Sequence, residues 1–308
     1  MRLLITGCDG FVGRHLTREA IARGWQVYGT VLSGRSMTTE IETFPVDLVS
    51  GDITTVIQRV KPDYLCHLAG FSSVALSWQE PAQTFQVNTI GTIRLLDAVR
   101  QVSPETKILS VGSAEEYGLV RSLEPITEEY VLQPLSPYGA SKAAVGFLAQ
   151  QYARAYDLHI CHVRPFNHIG IGQGKGFVTT DFASQLVAME KGLIAPILKV
   201  GNLEAKRDFT NVRDIVQGYL QLLQLGQRGQ VYNLASGKAV AVQEVLDLML
   251  KRIGTTVKVQ VDTERLRPSE VPVLAGNIDK IKQLTGWQPK IDLEESVEEV
   301  LADWRSRL

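Results

Sequence analysis

The sequence predicts an α/β protein: a doubly wound parallel sheet with a smaller mixed α/β lobe. Three observations predict it. A short apolar run, Arg2 to Thr6, breaks into the glycine turn Gly7-Cys8-Asp9-Gly10-Phe11-Val12-Gly13 and then an amphipathic helix. From there to Arg164, strand-like and helix-like segments alternate, which is the pattern of a parallel sheet with helical crossovers. Beyond Asn167 the rhythm stops, and Gly170, Gly172, Gly174 and Gly176 crowd into one irregular loop. Residues 1–166 with 211–235 are therefore expected to form the sheet domain, and 167–210 with 236–308 the smaller lobe. A chain of 308 residues can bury two such cores.

Composition narrows the function. Hydrophobic content of 44% and charged content of 21% are those of a globular protein. A net charge of −1 argues against nucleic-acid or membrane-surface partners. No apolar run reaches the length of a membrane span, and the N-terminal run is too short for a signal peptide. The three cysteines (Cys8, Cys66, Cys161) are too far apart for a disulfide framework or a metal site, and are expected as buried thiols in a reducing cytoplasm. The five histidines form no metal-binding spacing.

Taken in order, the first strand and helix give the glycines their meaning. Gly7 allows the tight turn, Gly10 lets a pyrophosphate approach the helix N-terminus, and Gly13 lets helix and strand pack closely. A dinucleotide site is expected here. Strand two runs from Trp25 to Thr30. No Asp or Glu occurs from Gln26 to Thr39, where a carboxylate would bond an adenosine ribose, and Arg35 lies in the loop. That pattern favours NADPH, or tolerance of NADH as well, unless Arg35 is only a solvated loop residue. Strand three, Glu42 to Val46, leads to Asp47-Leu48, beside the expected adenine position. A helix over 52–60 and a strand over 64–68 end at Ala69-Gly70, small enough for a sugar-phosphate to pass. His67, inside that strand, is expected to be a core histidine. A long helix from Pro81 to Arg100 contains Asn88, and strand five runs from Lys107 to Val111. Ligands bind at the carboxyl ends of parallel strands, so Ser113 and Glu115 are well placed for chemistry, although a Ser there can also be a turn former.

Ser136 opens a helix running to Tyr156, with Tyr138 and Lys142 on one face. An ammonium beside a phenol is expected to lower the phenol's pKa from about 10, so that it can exchange a proton with a carbonyl or alcohol. Strand six, His159 to Arg164, ends in Pro165. Later helices are expected over 182–191, 212–225, 242–253, 279–284 and 293–305, with a strand at 231–234. The loop 265–272 is bounded by prolines and carries charges of use to a nucleotide.

Gly7-x-x-Gly10-x-x-Gly13, Ser113, Tyr138-x-x-x-Lys142, Arg164-Pro165-Phe166-Asn167, Arg207-Asp208-Phe209 and Gly286-Trp287-x-Pro289 occur together over nearly the whole chain. On these the chain resembles the extended short-chain dehydrogenases/reductases of the nucleotide-sugar branch. The stretches 112–118, 166–170, 200–209 and 266–272 are similar to those of its GDP-6-deoxy-4-keto-mannose reductases. The resemblance implies a Rossmann domain and an NAD(P)H-dependent reduction of the C4 keto group of GDP-4-keto-6-deoxy-D-mannose to GDP-D-rhamnose. Ser113 would hold the C4 oxygen, Tyr138 would be the acid, and Lys142 would tune it and bind the nicotinamide ribose. Phe11, Val12, Leu68 and Pro165 would line the cofactor. Asn167, Val178, Lys199, Arg207, Arg267 and Glu270 would line the GDP-sugar, with the arginines on its pyrophosphate unless they are surface ion pairs. Paired long helices would form a homodimer. Val31-Leu32 departs from the polar or basic pair common in the family, which leaves the cofactor's phosphate preference open. Two rivals remain open at this level. A GDP-mannose 4,6-dehydratase would use Glu115 as an extra acid/base, with a 4-epimerase behind it among the enzymes. A non-catalytic nucleotide sensor would bind cofactor without turnover.

Overall fold

The structure is a computed structural model in which residues 1–32, 40–262 and 271–308 are described. Strand β1 (Arg2–Thr6) leads to α1 (Phe11–Ala22), β2 (Gln26–Val31), β3 (Glu42–Pro45), α2 (Ile53–Val60) and β4 (Tyr64–His67). Then come α3 (Val74–Gln79), α4 (Pro81–Phe85), a π-helical turn (Gln86–Ile90), α5 (Gly91–Val102) and β5 (Lys107–Val111). A 3-10 turn (Ala114–Glu116) precedes α6 (Pro137–Ala155), β6 (Ile160–Pro165), β7 (Asn167–Ile169) and α7 (Val178–Glu190). The remainder is β8 (Ile197–Val200), β9 (Lys206–Arg207), β10 (Phe209–Asn211), α8 (Val212–Leu225), β11 (Val231–Leu234), β12 (Val240–Ala241), α9 (Val242–Leu250), β13 (Lys258–Val261), β14 (Val273–Leu274), α10 (Asp279–Thr285) and α11 (Leu293–Arg307).

Seven strands form one sheet in the order β11-β6-β5-β4-β1-β2-β3, and every pairing in it is parallel. The expected doubly wound fold is therefore present. Alternation along β1 explains its two covered faces. Leu3 and Ile5 pack with Leu16 of α1 and Ile215 and Tyr219 of α8. Leu4 packs with Ile57 of α2, Leu95 of α5 and Tyr152 of α6. The strand order reverses between β1 and β4, which opens a crevice at their carboxyl ends.

A second core joins α7, α9 and α11 to β8 and β10 through residues such as Leu186, Leu198, Phe209, Leu246 and Leu301. Three small sheets accompany it: β10 with β7, β13 with β8, and β12-β9-β14. The C-terminal segment is tied back to α8. Trp287 Nε1 donates to the Asp214 carbonyl at 3.0 Å, and the Asp214 carboxylate accepts the Lys290 and Ile291 N–H groups, each at 2.9 Å.

Three expectations change here. The helix expected over 81–100 carries a π-turn at 86–90 and runs on to Val102. Helix α7 begins at Val178, not Phe182; Thr179 and Thr180 are poor helix formers but are buried, so packing overrides propensity. Helix α9 stops at Leu250 rather than Ile253. Strands of two to four residues (β7–β10 and β12–β14) are too short for periodicity to reveal. No described helix is long and apolar enough to cross a membrane.

Candidate active site

The glycine turn leaves the carboxyl end of β1 with Gly7 at φ +70°, in the left-handed region that favours glycine. A Cβ at Gly7 would lie 3.0 Å from Ala69 Cα, so the turns after β1 and β4 abut. A Cβ at Gly13 would lie 2.7 Å from the Cys8 carbonyl oxygen, so close packing of α1 on its turn requires glycine there. Gly10 caps α1 without a side chain, and no acidic residue lies in the first turn. Free N–H groups at a helix start with no acidic residue in its first turn suit a pyrophosphate. The chain thus fits a dinucleotide at this turn, with Phe11 and Val12 opening the helix.

The floor of the crevice is a hydrogen-bonded seam. Thr92 Oγ1 donates to the Asn88 carbonyl and so accepts from His67 Nε2 at 2.9 Å. His67 Nδ1 is then the acceptor for the Thr6 hydroxyl at 2.8 Å, and Thr6 Oγ1 accepts the Ala69 N–H at 3.1 Å. Burial, with the Lys142 charge adding to it, lowers the His67 pKa to about 3. His67 is a neutral structural residue, as expected. In the π-turn, Asn88 Oδ1 accepts the Phe71 N–H at 2.6 Å, and Asn88 Nδ2 donates to Phe71 O (3.2 Å) and Ser141 Oγ (2.9 Å). The Ser141 hydroxyl in turn donates to the Tyr138 carbonyl at 2.7 Å. The widened turn therefore ties the loop after β4 to the helix bearing Tyr138.

Ser113, Tyr138 and Lys142 meet above this seam. Ser113 is the cap of the 3-10 turn after β5, and its Oγ accepts the Glu115 N–H at 3.1 Å. The Ser113 side chain lies beside the Tyr138 phenol, which is 8% exposed. Lys142, also 8% exposed, donates from Nζ to the Val111 carbonyl at 3.0 Å. Here one expectation is corrected. Burial raises the Tyr138 phenol above its ordinary value, the Glu115 and Glu116 charges add to the rise, and only the Ser113 hydroxyl opposes them. The Lys142 ammonium, which gives one of its three N–H groups to Val111, is not among the groups that shift the resting phenol. Burial lowers the Lys142 pKa itself to about 8, against the opposing pull of Glu116.

Glu116 was not anticipated from the sequence. It is fully buried, and its carboxylate accepts from Ser113 N (2.9 Å), His162 Nε2 (2.9 Å) and Arg164 Nε (2.8 Å). Burial would raise its pKa, but His162 and Arg164 outweigh burial and hold it below the ordinary carboxylate value. The readable signal was the Ser-x-x-Glu spacing of a capping box, Ser113 to Glu116, which the structure realises.

The other expected residues fall in several places. Gly70 lies against this group: a Cβ there would be 2.8 Å from Asn88 Oδ1 and 3.6 Å from Lys142 Nζ. Leu68 is half-buried beside the β1 core and Pro165 is buried at the end of β6. Asp47 accepts from Val49 N and Ser50 Oγ within its own turn, bonds that lower its pKa, while Leu48 is buried under α2 and α5. Glu115 is half-buried. Asn167 is exposed on β7, and Val178 is the first residue of α7. Lys199 is exposed on β8, 3.9 Å from Asp262. Arg207 on β9 donates to Val271 O at 2.7 Å. Arg35, Arg267 and Glu270 lie outside the described residues.

The profile of the family described as GDP-mannose 4,6 dehydratase matches residues 4–300. The chain belongs to that family. Among its relatives, the GDP-6-deoxy-D-mannose reductase of Pseudomonas aeruginosa is 34% identical over 100% of this chain and 98% of its own. The GDP-mannose 4,6-dehydratase of Vibrio cholerae is 29% identical over 98% of this chain and 93% of its own. The solved structure of RMD from Pseudomonas aeruginosa complexed with NADPH superposes with a TM-score of 0.86 at 33% identity, covering 100% of this chain and 99% of that one. The GDP-mannose 4,6-dehydratase family thus contains relatives named for a reductase and for a dehydratase, and this chain matches both along nearly its whole length.

Proposed function

We propose that the chain reduces the C4 keto group of GDP-4-keto-6-deoxy-D-mannose to give GDP-D-rhamnose, using NADPH and tolerating NADH. The observation that carries this reading is the Ser113 side chain beside the buried Tyr138 phenol, with Lys142 one helical turn on and bonded to the end of β5. The full-length likeness to a reductase and to an NADPH-bound structure supports the choice of substrate and cofactor. The reduced nicotinamide, when bound, supplies the hydride that adds to C4. Tyr138 gives its proton to the C4 oxygen, and Ser113 donates a hydrogen bond to that oxygen as negative charge develops on it. A phenol raised by burial holds its proton until such a strong base forms. Lys142 stabilises the phenolate left behind. Gly7, Gly10, Phe11, Val12, Gly13, Asp47, Leu48, Leu68, Ala69, Gly70 and Pro165 hold the cofactor in this reading, with Arg35 toward its ribose phosphate. Asn167, Val178, Lys199, Arg207, Arg267 and Glu270 hold the GDP-sugar. Residues 1–166 with 211–235 would carry the cofactor, and 167–210 with 236–308 the nucleotide sugar.

A second reading has its own support. Glu115 is half-buried and its charge acts on Tyr138, the place where a dehydratase needs a further acid/base. One assay separates the two. Purified protein with the keto sugar and NADPH is expected to consume the reduced nicotinamide stoichiometrically. Conversion of GDP-mannose without net cofactor use, and no consumption with the keto sugar, would make it the dehydratase. Tyr138→Phe is expected to lose ~10³-fold or more in kcat with little change in GDP-sugar binding; full turnover in that variant would remove Tyr138 from its role. Exposed Phe85, Ile90 and Phe147 on α4, the π-turn and α6 support a homodimer through this face. The three buried, unpaired thiols support a reducing, cytoplasmic setting.

A further inference from the structure

The reaction as proposed uses Ser113, Tyr138 and Lys142, and leaves a buried charged cluster directly behind them without a role. Its centre is Glu116, with Ser113 N–H on one side and His162 and Arg164 of β6 on the other. His162 Nδ1 is bonded to Ser110 Oγ at 3.1 Å. Arg164 also donates to the Glu128 carbonyl at 3.1 Å and lies 4.8 Å over the Tyr117 ring. Both carboxylate oxygens are therefore held from a strand of the central sheet, and Oε1 also takes the Ser113 N–H of its own turn.

The surroundings are cut to admit this carboxylate. A Cβ at Gly112 would overlap the Glu116 carboxylate and the His162 ring. A Cβ at Gly146, on the helix that carries Tyr138 and Lys142, would lie 2.9 Å from His162 Nε2 and 3.2 Å from Glu116 Oε2. Two elements thus give up side chains where the cluster passes between them. A buried ion pair is weak evidence of added stability, because apolar replacement of both partners is often neutral or better. What this pair does locally is hold the backbone of the residue whose hydroxyl meets Tyr138.

We propose that Glu116 is a positioning residue for the ketoreduction. Its carboxylate, anchored on β6 by His162 and Arg164, clasps the Ser113 N–H and fixes the Ser113 hydroxyl against Tyr138. The inference rests on the ketoreductase reading for its substrate, but not for its geometry. It also separates the two adjacent glutamates: Glu115 stands at the crevice, whereas Glu116 acts from behind the turn.

Three variants test it, with kcat, KM and NADPH-binding stoichiometry measured for each. Glu116→Gln keeps one acceptor oxygen but turns an amide N–H toward a guanidinium left without its counter-charge. It is expected to lower kcat about tenfold or more with KM little changed, since a displacement of about 1 Å at a reacting group can cost ~100-fold. Adding Arg164→Leu removes that clash while the amide oxygen still accepts the Ser113 N–H, and kcat should recover to within about threefold of the parent. Glu116→Leu with Arg164→Leu removes the charges and the acceptor together, and should stay about tenfold or more down while still binding NADPH one to one. Equal turnover in the two double variants overturns the proposal. If the leucine pair does not bind NADPH, the single and double glutamine variants decide, and no recovery on adding Arg164→Leu overturns it. Failure of the ketoreductase reading looks different, because the parent would then leave NADPH unconsumed. The same three ratios would in that case be taken on GDP-mannose conversion, which needs the same Ser113–Tyr138 pair.

Discussion

Lys142 keeps an ammonium in a place that disfavours one. Burial lowers its pKa to about 8, so it is charged at neutral pH but close to losing that charge. The sign follows directly. As pH rises through about 8 the ammonium is lost, and with it the stabilisation of a Tyr138 phenolate. Turnover is therefore expected to fall along an alkaline limb near that pH, while Lys142→Met should show low kcat and no such limb. A flat profile of kcat up to pH ~10 in the parent would remove Lys142 from the ionisation that matters. Tyr138 and Lys142 were legible as one helix face from their spacing and Ser113 as a strand end, whereas their joint roles were read from the resemblance carried by the rest of the chain. Glu116 was not, because Glu115 and Glu116 look alike in a sequence and only the 3-10 turn decides which one faces inward. The phenol's raised pKa was also hidden, since it depends on burial and on the carboxylates of Glu115 and Glu116.

At the scale of elements, the π-turn between α4 and α5 is where local geometry and the site meet. One wider turn directs Asn88 toward both Phe71 and Ser141. π-turns of this kind are often found at functional sites. Asn88→Ala would leave the Phe71 N–H and the Ser141 hydroxyl short of a partner in a buried place. It is expected to destabilise the protein by about 1–3 kcal/mol in denaturant unfolding, and to lower kcat more than it raises KM. A loss of stability with unchanged kcat would limit Asn88 to folding. The helix itself was legible from its apolar period, but its wider turn was not, because one slipped position hardly disturbs a pattern read over twenty residues. The main strands were legible for the opposite reason: parallel strands covered on both faces read as continuous apolar runs. The short strands of the smaller sheets depend on partners far along the chain, as in β14 pairing with β9, and carry no local signal.

For the whole molecule, the central question is what covers the apolar residues left on the outside of α4 and α6. Phe147 is 59% exposed and Phe85 is 39% exposed. Scattered apolar residues are ordinary, but aromatic side chains on adjacent helices form a patch that a second copy can bury isologously. Phe147→Arg is expected to yield a monomer in sedimentation equilibrium with unchanged circular dichroism. A parent that sediments as a monomer would sink the dimer. The layered architecture was legible from alternation alone. A smaller lobe drawn from either side of α8 and β11 was also expected, but which residues pack its core was not legible, because they lie in segments that no window of sequence contains together.

The sheet order also sets a timetable for synthesis. The outer edge of β6 at 162–165 is closed by 231–234, which emerges only after α7, four short strands and α8 have been made. Until then a nascent chain presents an unpaired parallel strand edge, the kind of edge that recruits other chains. Polypeptides ending just before Val231 are accordingly expected to aggregate or bind chaperones in a translation extract, and those reaching past Leu234 to do so less. If both behaved alike, closure of that edge would not be what commits the chain to its fold.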